Sequence, residues 1–263
     1  MGGDATPDRD RLLAFELALD VEVCDEVHQE SWGRLFLTPS APLIWDANWV
    51  GIEETGLTVE QVVAIADDAL GGEGLGHRTI ALLDEADGHR LGEQVEAEQE
   101  RWPRWEVDRT RYMLWRGGEV EPGAAREVPL EEIETLRKAI IDESMPPDGG
   151  GQAAVDQLFE NDRRYGLAGG DRWFVAPAEG EPMSACRLLR NDDIGQVEEV
   201  GTLEPARDRG LGRTVITTAI AASQAAGDQV IFLTADAADW PQLLYARMGF
   251  ETVGDLTVLR RRP

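Results

Sequence analysis

Residues 196–226 constrain this chain most. A strand-like run, Gln196 to Leu203, passes into Glu204-Pro-Ala-Arg207-Asp-Arg-Gly210-Leu-Gly212-Arg213, and an apolar helix follows directly, to about Ala226. Glycines at 210 and 212 let the backbone turn tightly with no Cβ in the way, so successive N–H groups can point into one small space. The helix adds its unpaired first-turn donors and the positive end of its dipole. Such a turn suits a diphosphate. Arg207, Arg209 and Arg213 concentrate positive charge there, in a chain whose formal net charge is −26.

Two common phosphate motifs do not fit. Gly210-Leu-Gly212-Arg-Thr-Val215 lacks the third glycine of a dinucleotide fingerprint, and there is no Gly-Lys-Ser/Thr. The run does fit Arg/Gln-x-x-Gly-x-Gly/Ala. Beyond it come a strand, Val230 to Ala235, and the phrase Leu244-Tyr245-Ala-Arg247-Met-Gly249-Phe250-Glu251. By these two motifs the chain resembles the GNAT superfamily of N-acetyltransferases, over about Arg111 to the C-terminus.

The resemblance implies an α/β fold with a mixed α+β sheet, the GNAT-like acyl-CoA N-acyltransferase fold. It also implies acetyl-CoA as cosubstrate and an amine acceptor on a small molecule or a protein. Thr202, Leu203, Arg207, Asp208, Arg209, Gly210, Leu211, Gly212, Arg213 and Thr214 would hold the cofactor, beside a strand that splays from its neighbour. Tyr245 would protonate the departing thiolate. Glu198 and Glu199 are the candidate bases; strand alternation points them to opposite faces, so only one reaches the acceptor, and Glu199 is favoured slightly. Glu143 and Asp148, in the loop between two predicted helices, are specificity candidates. Trp240 and Phe250 read as core, and Leu243, Leu244 and Met248 as the inward face of the Tyr245 helix. A sensor that binds acyl-CoA without turnover is the alternative.

Residues 1–110 read strand–strand–helix–strand–helix–strand, the order of a degenerate, non-catalytic GNAT-like half, with residues 111–263 the catalytic GNAT domain. The predicted strands include Gly33–Thr38, Leu43–Val50 and Arg78–Leu83. Thr58 has capping-box spacing to Gln61. Gly71-Gly-Glu-Gly74-Leu-Gly76 has neither arginine nor glutamine three before Gly74, so it does not repeat the later motif. Helices are predicted after Gly88, Pro129 and Gly151, with a polar linker at 119–128.

Composition narrows the function classes. Hydrophobic content of 42% and eight tryptophans exclude a disordered chain. The acidic balance disfavours nucleic acid and anionic membranes. Cys24 and Cys186 show no Cys-x-x-Cys pattern, and His28, His77 and His89 share no ligand spacing, so no metal is expected. The acidic start is unlike a signal peptide, and a cytoplasmic monomer or homodimer is expected.

Overall fold

The computed structural model describes residues 8–146, 149–170 and 172–263 of the chain. By compactness it divides into one unit of residues 1–113, 234–247 and 252–263 and another of residues 114–233 and 248–251.

In the first unit, helix α1 (Asp8–Val23) precedes strands β1 (Glu26–Glu30), β2 (Gly33–Leu37) and β3 (Trp49–Ile52). Helix α2 (Val59–Gly72), strand β4 (Arg78–Leu82), helix α3 (Glu85–Ala97) and strand β5 (Trp105–Trp115) follow. The strands lie in the order β1-β2-β3-β4-β11-β5, where β11 is the C-terminal strand Phe250–Arg261. β3 and β4 run parallel around α2, which places Val62, Ala66 and Leu70 at helical spacing against Val50, Ile52, Ile80 and Leu82. Arg78 reaches Asp67 of α2 at 2.8 Å, and Arg261 of β11 binds the same carboxylate. Because β11 pairs antiparallel with β4, the end of the chain completes the first unit, and the division does not coincide with the expected boundary at 110/111.

Of the strand expected over Leu43–Val50 only Trp49 and Val50 are extended, as the start of β3, and a 3₁₀ turn, Trp45–Ala47, takes the place of the rest. The buried Asn48 side chain explains it: its Oδ1 accepts from the Thr38 N–H, and its Nδ2 donates to the Ala41 and Ile44 carbonyls. Those groups are satisfied locally instead of by a ladder. His77 Nε2 donates to the Asn48 carbonyl (2.9 Å), and burial holds its imidazole below the usual range.

The second unit holds strands β6 (Arg126–Val128), β7 (Arg172–Ala178), β8 (Glu181–Asn191), β9 (Ile194–Thr202) and β10 (Val230–Asp236), in the order β10-β9-β8-β7-β6. Its helices are α4 (Glu134–Ser144), α5 (Gly151–Gly169) and α6 (Leu211–Ala225). Alternation along β7 gives Trp173 and Val175 to α4 and α5, leaving Phe174 and Ala176 for the other face. β6 falls within the polar stretch expected to be a linker; its three residues pair with β7 at the sheet edge.

One irregularity shapes this sheet. Ala185 faces Gly201 and Arg187 faces Glu198, so Glu199 and Val200 together oppose the single residue Cys186. That is a β-bulge in β9, and Glu199 takes a φ of 54° to make it. Gly201 just beyond it has no room for a side chain, since a Cβ would lie 2.3 Å from Ile140 of α4.

Thr58 caps α2 on both sides: its hydroxyl accepts from the Gln61 N–H and its own N–H donates to the Gln61 side chain at 2.8 Å. Replacing Thr58 with Ala should lower stability by about 1 kcal/mol, read as a shifted urea midpoint with an unchanged slope.

Candidate functional site

The strand–turn–helix of the second unit is built to leave donors free. β9 pairs with β10 only from Ile194 to Gln196, opposite Val230 to Phe232. From Val197 to Thr202 it keeps β8 but has no partner on β10 among the described residues. The expected splay is present. After a 3₁₀ turn, Glu204–Ala206, the chain passes through Asp208 (φ 62°) and Gly210 (φ 78°) into α6. Gly210 is the N-cap, and no side chain caps the helix. The amides of Leu211, Gly212 and Arg213 therefore form a first turn aimed out of the helix end.

Gly212 has helical φ, so its conformation does not require glycine. A Cβ there would meet only the Thr202 hydroxyl, at 3.8 Å, and at Gly210 it would meet nothing within 4 Å. The protein's own packing thus does not explain the absence of a side chain at 212. Open space is held in front of the helix end instead.

The residues expected to hold a cofactor divide by what occupies them. Arg207 donates to the Thr202 carbonyl (3.1 Å) and pairs with Glu143 (2.8 Å), whose carboxylate also accepts from the Glu204 N–H (3.0 Å). Glu143 is thereby a clamp on the turn. Arg209 pairs with Glu179 at 2.9 Å. Both pairs are exposed, hence weak and exchangeable. Among the described residues, Arg213 makes no ion pair, and it is exposed. Thr202 bonds the Ser184 hydroxyl (2.8 Å), the Leu203 N–H donates to Met183 (3.0 Å), and Thr214 donates back to Gly210 (3.1 Å). Asp208 supplies the left-handed residue of the turn. Asp148 lies outside the described residues.

The two glutamates do not point to opposite faces. Glu198 pairs with Arg187 of β8, and Glu199 with Arg137 of α4. Both guanidiniums lie over the Trp173 ring, at 5.4 and 5.5 Å, and both contact Asp162 of α5. The bulge is the reason: the extra residue breaks the two-residue alternation, so consecutive side chains share a face. Neither Asp162 nor the arginines announced themselves in sequence, because contacts among α4, α5 and β8 carry no local signature.

This array sets three carboxylates against two guanidiniums. Arg137 and Asp162 are about 6% and 5% exposed, whereas the Glu199 side chain is 36% exposed and forms the open end. Burial pushes the Glu198 carboxyl above its usual range; Arg187 opposes this and the Glu199 charge adds to it. Burial likewise raises Asp162, then the Glu199 charge, against both arginines. Carboxyls raised in the folded state favour folding at acid pH and lose that contribution as pH rises.

In the first unit β3–α2–β4 has the same parallel strand–helix–strand order as β9–α6–β10, but its helix start is occupied. The Thr58 box fills it, Glu53 and Glu54 precede it, and Arg90 binds the Leu57 carbonyl at 2.9 Å. The cluster Gly71 to Gly76 lies at the C-terminal end of α2, with Gly74 left-handed. Tyr245 sits buried on helix α7 (Pro241–Met248) of this unit. On and beside that helix, Trp240 (65% exposed) and Leu243 (57%) face solvent, contrary to expectation. Leu244 and Met248 are half-buried, while Phe250 is core as expected. No helix among the described residues is long and apolar enough to cross a membrane, and no metal-ligand cluster occurs among them.

Residues 138–250 match the model of the acetyltransferase (GNAT) family. Over nearly the whole chain the fold resembles a functionally unknown conserved protein from Staphylococcus epidermidis (TM-score 0.66, 16% identity, 91% of this chain and 94% of that one). It also resembles a GCN5-related N-acetyltransferase from Kribbella flavida (TM-score 0.60, 18% identity, 98% and 97%). A tandem GNAT protein from the clavulanic acid biosynthesis pathway aligns with TM-score 0.52 at 10% identity, over 87% of this chain and 78% of that one. No curated protein matches. At these identities the likeness is one of fold.

Replacing Arg137 with Met takes from Asp162 and Glu199 the cation they share, so stability at neutral pH should fall by about 3 kcal/mol or more. The loss should shrink as pH drops into the carboxylate range, where those groups can take up protons. Urea titrations at pH 7 and pH 5 check both the size and the sign.

Proposed function

We propose that this chain, a member of the GNAT superfamily through its domain at residues 138–250, moves an acetyl group from acetyl-CoA to an amine. Transfer is direct, within a ternary complex. The observation that carries this reading is the uncapped start of α6, with a cradle at Gly212 that a Cβ would fill and, beside it, Arg213, which makes no ion pair among the described residues. Those features fit a diphosphate: the amides of Leu211, Gly212 and Arg213 would hold it, and Arg207 and Arg209 can exchange exposed carboxylates for phosphate. The cofactor supplies an activated thioester.

The remaining needs fall on the chain's own groups. An alkylamine with a pKa of about 10.4 is charged at neutral pH and must lose a proton before it attacks. Glu199, at the open end of the array, is placed to accept that proton directly or through water, with Glu198 behind it. The unpaired edge of β9 offers backbone N–H groups to the thioester carbonyl oxygen as it gains charge. The nitrogen–carbon bond would form, the carbon–sulfur bond would break, and Tyr245 would be the phenol O–H donor that gives the leaving sulfur its proton. The acceptor is an amine of a small molecule or a protein. We assign catalysis to the portion from residue 111 onward and a supporting role to residues 1–110, whose own helix start is closed.

One observation favours a second reading. Both candidate bases are held by arginines, so a protein that binds acyl-CoA without turnover is the alternative. Following CoA thiol release with a panel of amines separates them, since cofactor binding without release for every acceptor supports the sensor.

Gly212→Ala should preserve or raise stability, by about 0.5–1 kcal/mol, while weakening CoA binding at least about ten-fold; urea titration and calorimetry read the two effects. Unchanged CoA affinity overturns the cradle. Tyr245→Phe should slow thiol release by roughly 100-fold with the acetyl-CoA Kd unchanged, and an unaltered rate removes Tyr245 from the chemistry.

A further inference from the structure

We propose that Asp162 is a positioning residue for the carboxylate pair of the β9 bulge. Its carboxylate grips Arg137, its backbone carbonyl grips Arg187, and so it fixes where Glu198 and Glu199 point. The inference rests on the transfer reading above for its catalytic consequence, but its geometry stands apart from it.

Asp162 joins the two arms through hydrogen bonds. Arg137 Nε donates to its Oδ2 at 2.6 Å and Arg137 Nη2 to its Oδ1 at 3.3 Å. Arg187 Nη1 donates to its carbonyl at 2.9 Å and lies 3.6 Å from Oδ1. Arg137 Nη2 also donates to Glu199, and Arg187 donates through Nη2 to Glu198. The path Glu198–Arg187–Asp162–Arg137–Glu199 therefore begins and ends on adjacent residues of one bulge. It spans four elements: β9, β8, α5 and α4.

Stability does not account for such an arrangement. A buried ion set is often no better for stability than apolar residues of the same volume, whereas it does hold its members in one geometry. Its charge count matters as well. Two guanidiniums neutralise two of the three carboxylates, and the remaining negative charge falls on groups that include the exposed Glu199. With Asp162 made neutral, each glutamate has its own arginine and no surplus remains. The charged and titratable groups facing the pair are Arg187 on β8, Arg137 on α4, and Asp162 on α5. Tyr165, also on α5, has its ring 5.4 Å from Arg187.

Asp162→Asn tests this in the intact chain. In a carbon-13 titration of the glutamate carboxyls without ligand, the Glu198 midpoint should fall by roughly one unit, because a neighbouring like charge is lost. With acetyl-CoA and an accepted amine, kcat should fall about ten-fold, the acid limb of its pH profile should move to lower pH, and the KM for acetyl-CoA should not change. A merely structural aspartate would lower the urea midpoint and leave the titration where it was; that result overturns the proposal. Should the wild type release no thiol with any amine, the transfer reading fails, and the carboxyl titration still decides the role of Asp162. If Asp162→Asn does not fold, Asp162→Glu keeps the charge but displaces it. The Glu198 and Glu199 carboxyl resonances should then move, and superimposable spectra refute the link.

Discussion

One extra residue in β9 organises the second unit. A regular strand would carry Glu198 and Glu199 to opposite faces of the sheet. The bulge at Glu199 and Val200, opposite Cys186, sends both carboxylates to the face covered by α4 and α5. Bulges also increase local twist and bend the strand that carries them. β9 loses its register with β10 after Gln196, a few residues before the bulge, and its far end leads into the glycine turn. A left-handed φ at a non-glycine residue costs of order 1 kcal/mol or more. The ion pair from Arg137 to Glu199 and the fit of Gly201 beneath Ile140 hold the strained stretch in place.

The two units use the same supersecondary order to opposite ends. In both, a strand leads through a turn into a helix and on to a parallel neighbour. At α2 the Thr58 hydroxyl takes up the Gln61 N–H of the first turn, and the approach carries Glu53 and Glu54. At α6 the N-cap is a glycine with nothing to offer those donors, and the approach carries arginine. A capped helix end is the more stable one by about 1 kcal/mol. Leaving α6 uncapped forgoes that stabilisation, which is intelligible when the donors are kept for a ligand. The distinction follows from side-chain chemistry at a few positions rather than from any difference in fold.

What was legible in the sequence is what is encoded within a dozen consecutive residues. The glycine turn, the helix after it, the capping box at Thr58 and most strands are local patterns, and the structure has them where the residues put them. Features that arise from contact between distant segments were not legible. The bulge is a mismatch between β8 and β9, and neither strand alone contains it. β11 lacks a clean apolar alternation, since it is pinned through Arg261 to Asp67 and through its ladder with β4. The strand expected over Leu43–Val50 yields to a single buried side chain, Asn48, that satisfies backbone groups from three directions. Trp240 and Leu243 read as core because hydrophobicity alone cannot say which face of a short helix and its approach is covered.

The same reasoning shows why arginine alone is an incomplete signal at the turn. Three arginines cluster there in an acidic chain, yet in the free protein each is held differently. Arg207 is held by Glu143, which also fixes the Glu204 amide, and its work in the free protein is to shape the loop. Arg209 sits on an exposed glutamate that solvent already screens. Only Arg213, on the first turn of α6, is left with its charge uncompensated among the described residues. The opposite holds at the array, where Arg137 and Arg187 stood in no motif and yet set the geometry of both candidate bases. Local positive charge in this protein is informative once its carboxylate partners are known, because with so many acids on the chain an arginine without a partner is the exception.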